Sequence, residues 1–141
     1  MKRFLLVAAL LFAPLAAVQA APSFILAEGD DVAHRLTAFS LRAEVAANDP
    51  RVAQARDWLA RAVKATGEEE RAIAAACVRT AKYFQDLTRV RATPLETLEA
   101  LATTAKHGQA MSDVLLAYVE TRRKLDGMGH AQALAALGAR K

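Results

Sequence analysis

The sequence contains a single cysteine, Cys77, in a chain of 141 residues. One cysteine excludes an internal disulfide, so the chain is not one of the small exported domains that disulfides hold together. Stability must instead come from a packed apolar core, which a chain of this length can supply. Cys77 itself has two interpretations, a buried small apolar side chain or an intermolecular disulfide, and its apolar neighbours favour burial.

The motifs of the common enzyme and cofactor classes are also missing. None of the three serines lies in a Gly-x-Ser-x-Gly turn, and the chain has no phosphate-binding loop and no Cys-x-x-Cys-His haem motif. Gly127 and Gly129 lack the third glycine and the preceding strand of a dinucleotide site. We therefore expect a protein that is not an enzyme and that needs no cofactor.

The basic residues of the sequence show no pattern that predicts one clustered basic face. The chain has 19 Lys and Arg against 15 Asp and Glu, a formal net charge of +4. Removal of Lys2 and Arg3 with a signal peptide would leave 17 against 15, a net charge of +2. Because nucleic-acid-binding domains usually carry a clustered basic face, we expect no nucleic acid among the partners.

The first twenty residues have the layout of a secretory signal peptide. Lys2 and Arg3 give a basic start, residues 4–18 are apolar, and Val18-Gln19-Ala20 places small residues before a cleavage site. The sequence thus predicts export to the periplasm, with secretion as the second choice and no stable membrane span after cleavage. The alternative is an uncleaved N-terminal anchor, although Pro14 interrupts a short apolar stretch.

Hydrophobic periodicity predicts helices along the rest of the chain, with no strand pattern. The longest predicted helix spans residues 67–92, and its apolar arc covers about half of its circumference. Thr66 and Glu69 have the spacing of a capping box, and Pro94 prevents continuation. Arg89 is expected in the last turn. The predicted buried stripe comprises Ile73, Cys77, Thr80, Phe84 and Leu87.

Caps and periodicity place the other helices around this one. They are predicted over residues 31–48, from residue 50, and over residues 94–107, 111–126 and 130–137. Short connections favour antiparallel neighbours, and no repeat of about 34 residues supports a helical solenoid. The sequence therefore predicts an all-α fold, a compact bundle of five or six antiparallel helices around the long helix. This single domain spans residues 21–141, with an extended arm at 21–29 and a frayed tail at 139–141.

One group of residues resembles a metal site in its ligand types. It consists of His107, Met111, Met128 and His130. Imidazole and thioether groups suit copper, which a periplasmic protein would meet. The competing interpretation is structural: the histidines lie at helix ends and the methionines fill gaps in the core.

A basic run near the C terminus is the candidate partner-binding site. Arg122, Arg123 and Lys124 would suit an acidic partner or an anionic membrane surface. The alternative is a solvated helix end, where the helix dipole favours positive charge.

These observations favour a non-enzymatic accessory or scaffold that binds another periplasmic or envelope protein. A wide apolar face left open would act as a groove for a partner. The alternative is a carrier of a small ligand or a copper-type metal that uses the bundle interior or the His107–His130 group. An enzyme comes third, because no cleft with convergent polar groups is indicated.

Overall fold

A computed structural model describes residues 23–124 and 129–138, which form six α-helices and, in those ranges, no strand. The helices are α1 Val32–Leu41, α2 Pro50–Thr66, α3 Glu70–Leu87, α4 Pro94–Thr104, α5 Met111–Lys124 and α6 His130–Gly138. The predicted all-α bundle is confirmed. The predicted signal peptide, residues 1–20, and the predicted tail, residues 139–141, lie outside the described residues.

Two helices occupy the middle of the bundle. The longest, α3, packs against α1, α2, α4 and α5, whereas the shorter α4 contacts all five other helices. Across the described ranges, no helix combines the length and the apolar character that crossing a membrane requires.

The core consists of two apolar clusters. The larger cluster joins α1, α2, α3 and α4 with the first half of α5 around fully buried side chains such as Leu36, Leu59 and Ile73. The smaller cluster contains Phe84 and Tyr118 and extends to Ala133 on α6. The second cluster therefore holds the last helix to the body of the protein.

Local capping chemistry positions α2 and α4 as the sequence predicts. Asp49 accepts from the Arg51 N–H at the start of α2, and Pro50 follows at the first helical position. At the start of α4 the Thr93 hydroxyl accepts from the Glu96 N–H while the Glu96 carboxylate accepts from the Thr93 N–H. Both predicted starts are confirmed.

The predicted capping box of α3 is wrong. Thr66 is the last residue of α2, and its hydroxyl donates to the Ala62 carbonyl. Gly67 then ends α2 with φ 74°, and Glu69 caps α3 without a side-chain hydrogen bond. Because Thr88 is extended and ends α3, Arg89 lies beyond the helix and not in its last turn.

The first helix is shorter than predicted, because it ends at Leu41 and not near residue 48. Arg42 adopts the left-handed conformation with φ 53°, and its N–H donates to the last carbonyls of α1. The His34 ring nitrogen Nε2 then lies 2.6 Å from the Val45 carbonyl oxygen. This contact holds the segment after α1 against its own helix.

The arm before α1 is fastened by two arginines. Arg71 donates to the carbonyls of Leu26 and Ala27, and Arg35 donates to the carbonyl of Ile25. Phe24 packs edge-on against the Phe39 ring with 5.2 Å between centroids. Residues 23–27 therefore lie on the body of the bundle, although the Ile25 side chain is 68% exposed.

Candidate functional site

An open apolar groove with a volume of about 290 Å³ runs between α3 and α5. Its lining residues are Ala76, Arg79, Thr80, Tyr83, Met111, Ser112, Leu115 and Val119. Both helices pack against α4, and small side chains such as Ala76 and Ser112 do not fill the space between α3 and α5. The bundle therefore leaves apolar surface open to solvent along this groove.

Two exposed leucines extend the apolar surface of the α3–α5 groove. Positions 76, 80, 83 and 87 repeat at helical spacing, which places Leu87 on the groove face of α3. Leu87 is 73% exposed, so its assignment to the buried stripe is wrong. Leu116 follows Ser112 by one turn on α5 and is 56% exposed.

Positive charge flanks the groove on both sides. Arg79 lines the α3 side, and Arg123 on α5 donates a 3.2 Å hydrogen bond to the hydroxyl of Tyr83. Within residues 23–124 and 129–138 neither arginine forms an ion pair, whereas Lys82 on the same helix pairs with Asp86 at 2.7 Å. The two groove arginines thus retain their charge for a partner.

The structure separates the three residues of the predicted basic site. Arg123 and Lys124 are exposed, but Arg122 is only 5% exposed. Its guanidinium lies against two rings, 5.9 Å from the Phe84 centroid and 5.7 Å from the Tyr118 centroid. Arg122 is therefore not available as a surface contact, which corrects its place in that site.

Hydrogen bonds link buried Arg122 to the Glu99 carboxylate through the side chains of Tyr118 and His130. Arg122 donates to the Tyr118 hydroxyl at 2.8 Å, and that hydroxyl lies 2.9 Å from His130 Nδ1. His130 Nε2 in turn lies 2.7 Å from Glu99 Oε2. Since a guanidinium only donates and a carboxylate only accepts, donors and acceptors match along the set when Tyr118 donates to His130 Nδ1 and His130 Nε2–H donates to Glu99.

This linked set is well satisfied except at one atom. Arg122 Nη2 also donates to the Arg91 carbonyl, whereas its Nε has no hydrogen-bond partner among the described residues. Burial raises the pKa of Tyr118 to about 12, against the lowering effect of Arg122. The Tyr118 hydroxyl is therefore neutral at ordinary pH, and the set acts as a structural tie between α4, α5 and α6.

A smaller cavity of about 140 Å³ lies between α2 and α4. Trp58 and Leu95 form its apolar part, and Glu96 and Glu99 add carboxylates. Each of these carboxylates is already engaged, Glu96 with the Thr93 N–H and Glu99 with His130. Arg51 and Gln54 of α2 complete its polar lining.

The residues of the predicted metal site serve other purposes where the structure describes them. His107 is exposed beyond the end of α4, not in its last turn, and Met111 lines the groove. Both ring nitrogens of His130 are engaged, and Met128 lies outside the described residues. In the part of the chain that the structure describes, no three His, Cys, Asp or Glu side chains group around a possible ion.

Cys77 is fully buried, which favours the apolar interpretation over an intermolecular disulfide. Burial raises the pKa of its thiol to about 12, against a small lowering by Arg79. The reactive thiolate is therefore scarce at neutral pH, and Cys77 is a core residue.

The sequence predicts an open apolar face but does not locate the groove, because the prediction follows one buried stripe on each helix. On α5 the predicted stripe is Val114, Leu115, Tyr118, Arg122 and Leu125, of which the first four are buried and Leu125 lies outside the described residues. Leu116 and Val119 form a second apolar row beside it, and this second row was the available indication of the groove.

Comparisons with protein-family models, with curated proteins and with solved structures find no match for the chain.

Proposed function

We propose that the protein is a non-enzymatic accessory of the cell envelope that binds another protein through the α3–α5 groove. The observation that carries this proposal is the groove itself, an open channel with apolar walls and an exposed leucine on each helix. Single exposed apolar residues are ordinary, but apolar residues aligned along a channel are typical of a protein-binding surface.

The shape of the groove supports a protein partner over a small ligand. Sites for small molecules usually enclose most of the ligand surface. This channel is open to solvent, and Leu87 and Leu116, both largely exposed, lie beside it. The hydrogen bond of Arg123 to Tyr83 joins its two walls near one end. A second protein would cover that whole surface, whereas a small molecule would remain in contact with water.

The location of the partner follows from the N-terminal sequence. Residues 1–20 have the basic start, apolar stretch and small residues of an export signal. We therefore place the protein in the periplasm and its partner among periplasmic or envelope proteins.

The test uses residues 21–141 and two matched aspartate variants. The native mass is measured alone and in a periplasmic extract of the source cells, and the bound protein is identified by mass spectrometry. Leu116→Asp introduces a charge beside the groove, and Ile25→Asp introduces one on the arm. Both side chains are more than half exposed, so both variants should fold.

We expect a defined complex with the unchanged protein and with Ile25→Asp, and its loss with Leu116→Asp. A complex that survives Leu116→Asp would overturn the groove as the binding surface. A protein that stays monomeric in the extract would overturn the accessory function itself.

The alternative of a copper carrier has less support, because His130 is engaged on both ring nitrogens. The same purified sample tests it by elemental analysis. Stoichiometric copper, together with recruitment of no other protein, would favour the carrier and would make His107 and Met111 candidate copper ligands.

A further inference from the structure

We infer that the partner segment in the α3–α5 groove is an amphipathic helix with acidic residues on both sides of its apolar stripe. This inference rests on the proposed function, since it names the kind of segment that the groove receives.

The walls of the groove favour a helix over an extended strand. Both walls are helices, whose backbone groups are already paired, so they offer no edge to a strand. The hydroxyl hydrogen of Thr80 is also used within α3, because it donates to the Ala76 carbonyl at 2.8 Å. An extended segment would bury unpaired backbone groups here, whereas a helix satisfies its own.

The length of the groove sets the length of that helix. On α3 the row from groove-lining Ala76 to exposed Leu87 spans about 16 Å at the helical rise. On α5 the row from groove-lining Met111 to exposed Arg123 spans about 18 Å on the same basis. The occupant therefore has about three turns, with apolar residues at i, i+4, i+7 and i+11.

The arginines specify the charge of the occupant. Arg123, near the end of α5, reaches Tyr83 near the end of α3, so the two helices run in the same direction. Arg79 precedes Tyr83 by one turn of α3, about 6 Å, so the two arginines project from different walls of the groove. Carboxylates on both sides of the apolar stripe, about one turn apart, would complement these two charges.

The same charges disfavour a second copy of this chain as the occupant. In a two-fold dimer the same patch meets itself, so the groove arginines of both copies would lie within one interface. Like charges placed together at an interface oppose association. Concentration-dependent dimerisation through the groove would therefore overturn the inference.

The test uses three fluorescent 16-residue synthetic peptides and fluorescence anisotropy. The first has leucines at the spacing above and glutamates on both sides of them. The second replaces the glutamates by lysines, and the third keeps the glutamates but has a central proline that breaks the helix. Their affinities are compared for residues 21–141 and for Arg79→Glu/Arg123→Glu.

We expect the acidic helix to bind at least about tenfold more tightly than the basic helix, and salt to reduce the difference. The acidic peptide with the central proline should bind as weakly as the basic helix. Arg79→Glu/Arg123→Glu should reverse the preference. The control Arg61→Glu/Lys64→Glu makes the same change in net charge on exposed positions of α2 and should leave it unchanged.

The outcomes separate this inference from the proposed function. Equal binding of the three peptides, or a preference that Arg79→Glu/Arg123→Glu leaves unchanged, overturns the acidic helix. If the complex from the periplasmic extract still depends on Leu116, the accessory function stands even though the acidic helix is wrong. If neither the peptides nor the extract proteins bind, both are wrong.

Discussion

The buried guanidinium of Arg122 donates a 2.8 Å hydrogen bond to the buried hydroxyl of Tyr118. In the described ranges this arginine has no carboxylate in ion-pair contact, and the hydroxyl instead connects it to His130. Tyr118 is therefore the middle member of a chain in which each polar group depends on the next. Such groups are expected to show coupled effects on stability.

Tyr118→Phe should lower the free energy of unfolding by about 1–3 kcal/mol, because it leaves Arg122 Nη1 and His130 Nδ1 without their partner. In the variant Arg122→Met, the further change Tyr118→Phe should lower the free energy of unfolding by less. The Arg122 guanidinium, one of the two groups that Tyr118→Phe leaves without a partner, is then already absent. Urea unfolding of the two single variants and the double variant measures this coupling. Equal costs in both backgrounds would contradict the network.

Glu99→Ala should loosen α6 selectively. The nine-residue helix is too short to be stable alone, and its attachment relies on buried Ala133 and on the His130–Glu99 contact. Hydrogen exchange should show faster exchange in α6 with little change in α1 and α2. Glu44→Ala removes an exposed carboxylate outside the helices and serves as the control. Uniformly faster exchange through the whole chain would argue against a local role.

Thr93→Ala should lower the free energy of unfolding by about 1 kcal/mol, because it removes the hydroxyl that caps α4. Thr66→Ala is the matched comparison, since the sequence assigns a capping role to Thr66 and the structure does not. Its cost should stay within about 0.5 kcal/mol. Thermal or urea unfolding distinguishes the two, and a larger cost at Thr66 would favour the sequence-based assignment.

These capping sites show which parts of the fold the sequence could predict. The starts of α2 and α4 depend on residues within one turn, so Asp49-Pro50 and Thr93-Pro94 are sufficient to place them. At the end of α1, Arg42 takes the left-handed position that glycine or asparagine usually marks. The segment after it is held by the contact of His34 with Val45, eleven residues away. Pairings of that kind arise from the folded chain and are not visible in local sequence.

The candidate site was predictable only in its chemistry. The basic run at residues 122–124 indicates that α5 ends in positive charge, whereas the apolar periodicity of the same helix places Arg122 on its buried stripe. Arg122 points into the smaller core cluster and Arg123 lies at the groove, because adjacent helical positions are about 100° apart. Which direction is buried depends on where α3 and α4 pack.

Alkaline pH should destabilise the protein through Cys77 and Tyr118. Burial raises their pKa values from 9.0 and 10.0 to about 12 in each case. Their contributions to stability are full below pH 9 and are lost between pH 9 and 12, because the unfolded chain then binds fewer protons. Each group lowers the free energy of unfolding by up to about 1.4 kcal/mol per pH unit in that range.

The variant Cys77→Ala measures how much the thiol contributes to the fall in the free energy of unfolding at alkaline pH. Its free energy of unfolding should be lower at neutral pH because of the cavity, but it should fall less steeply between pH 9 and 10. Urea unfolding at several pH values gives both slopes, and the shared lysines and tyrosines cancel in the comparison. Identical slopes would show that Cys77 is not protected from ionisation.

The contact of α4 with every other helix has a consequence for the order of folding. A chain that emerges from its N terminus produces α1, α2 and α3 before the helix on which all three pack. We expect their apolar faces to stay uncovered until residues 94–104 have emerged, so that the bundle forms in one late step. A chain cut after residue 92 would accordingly unfold without a cooperative transition.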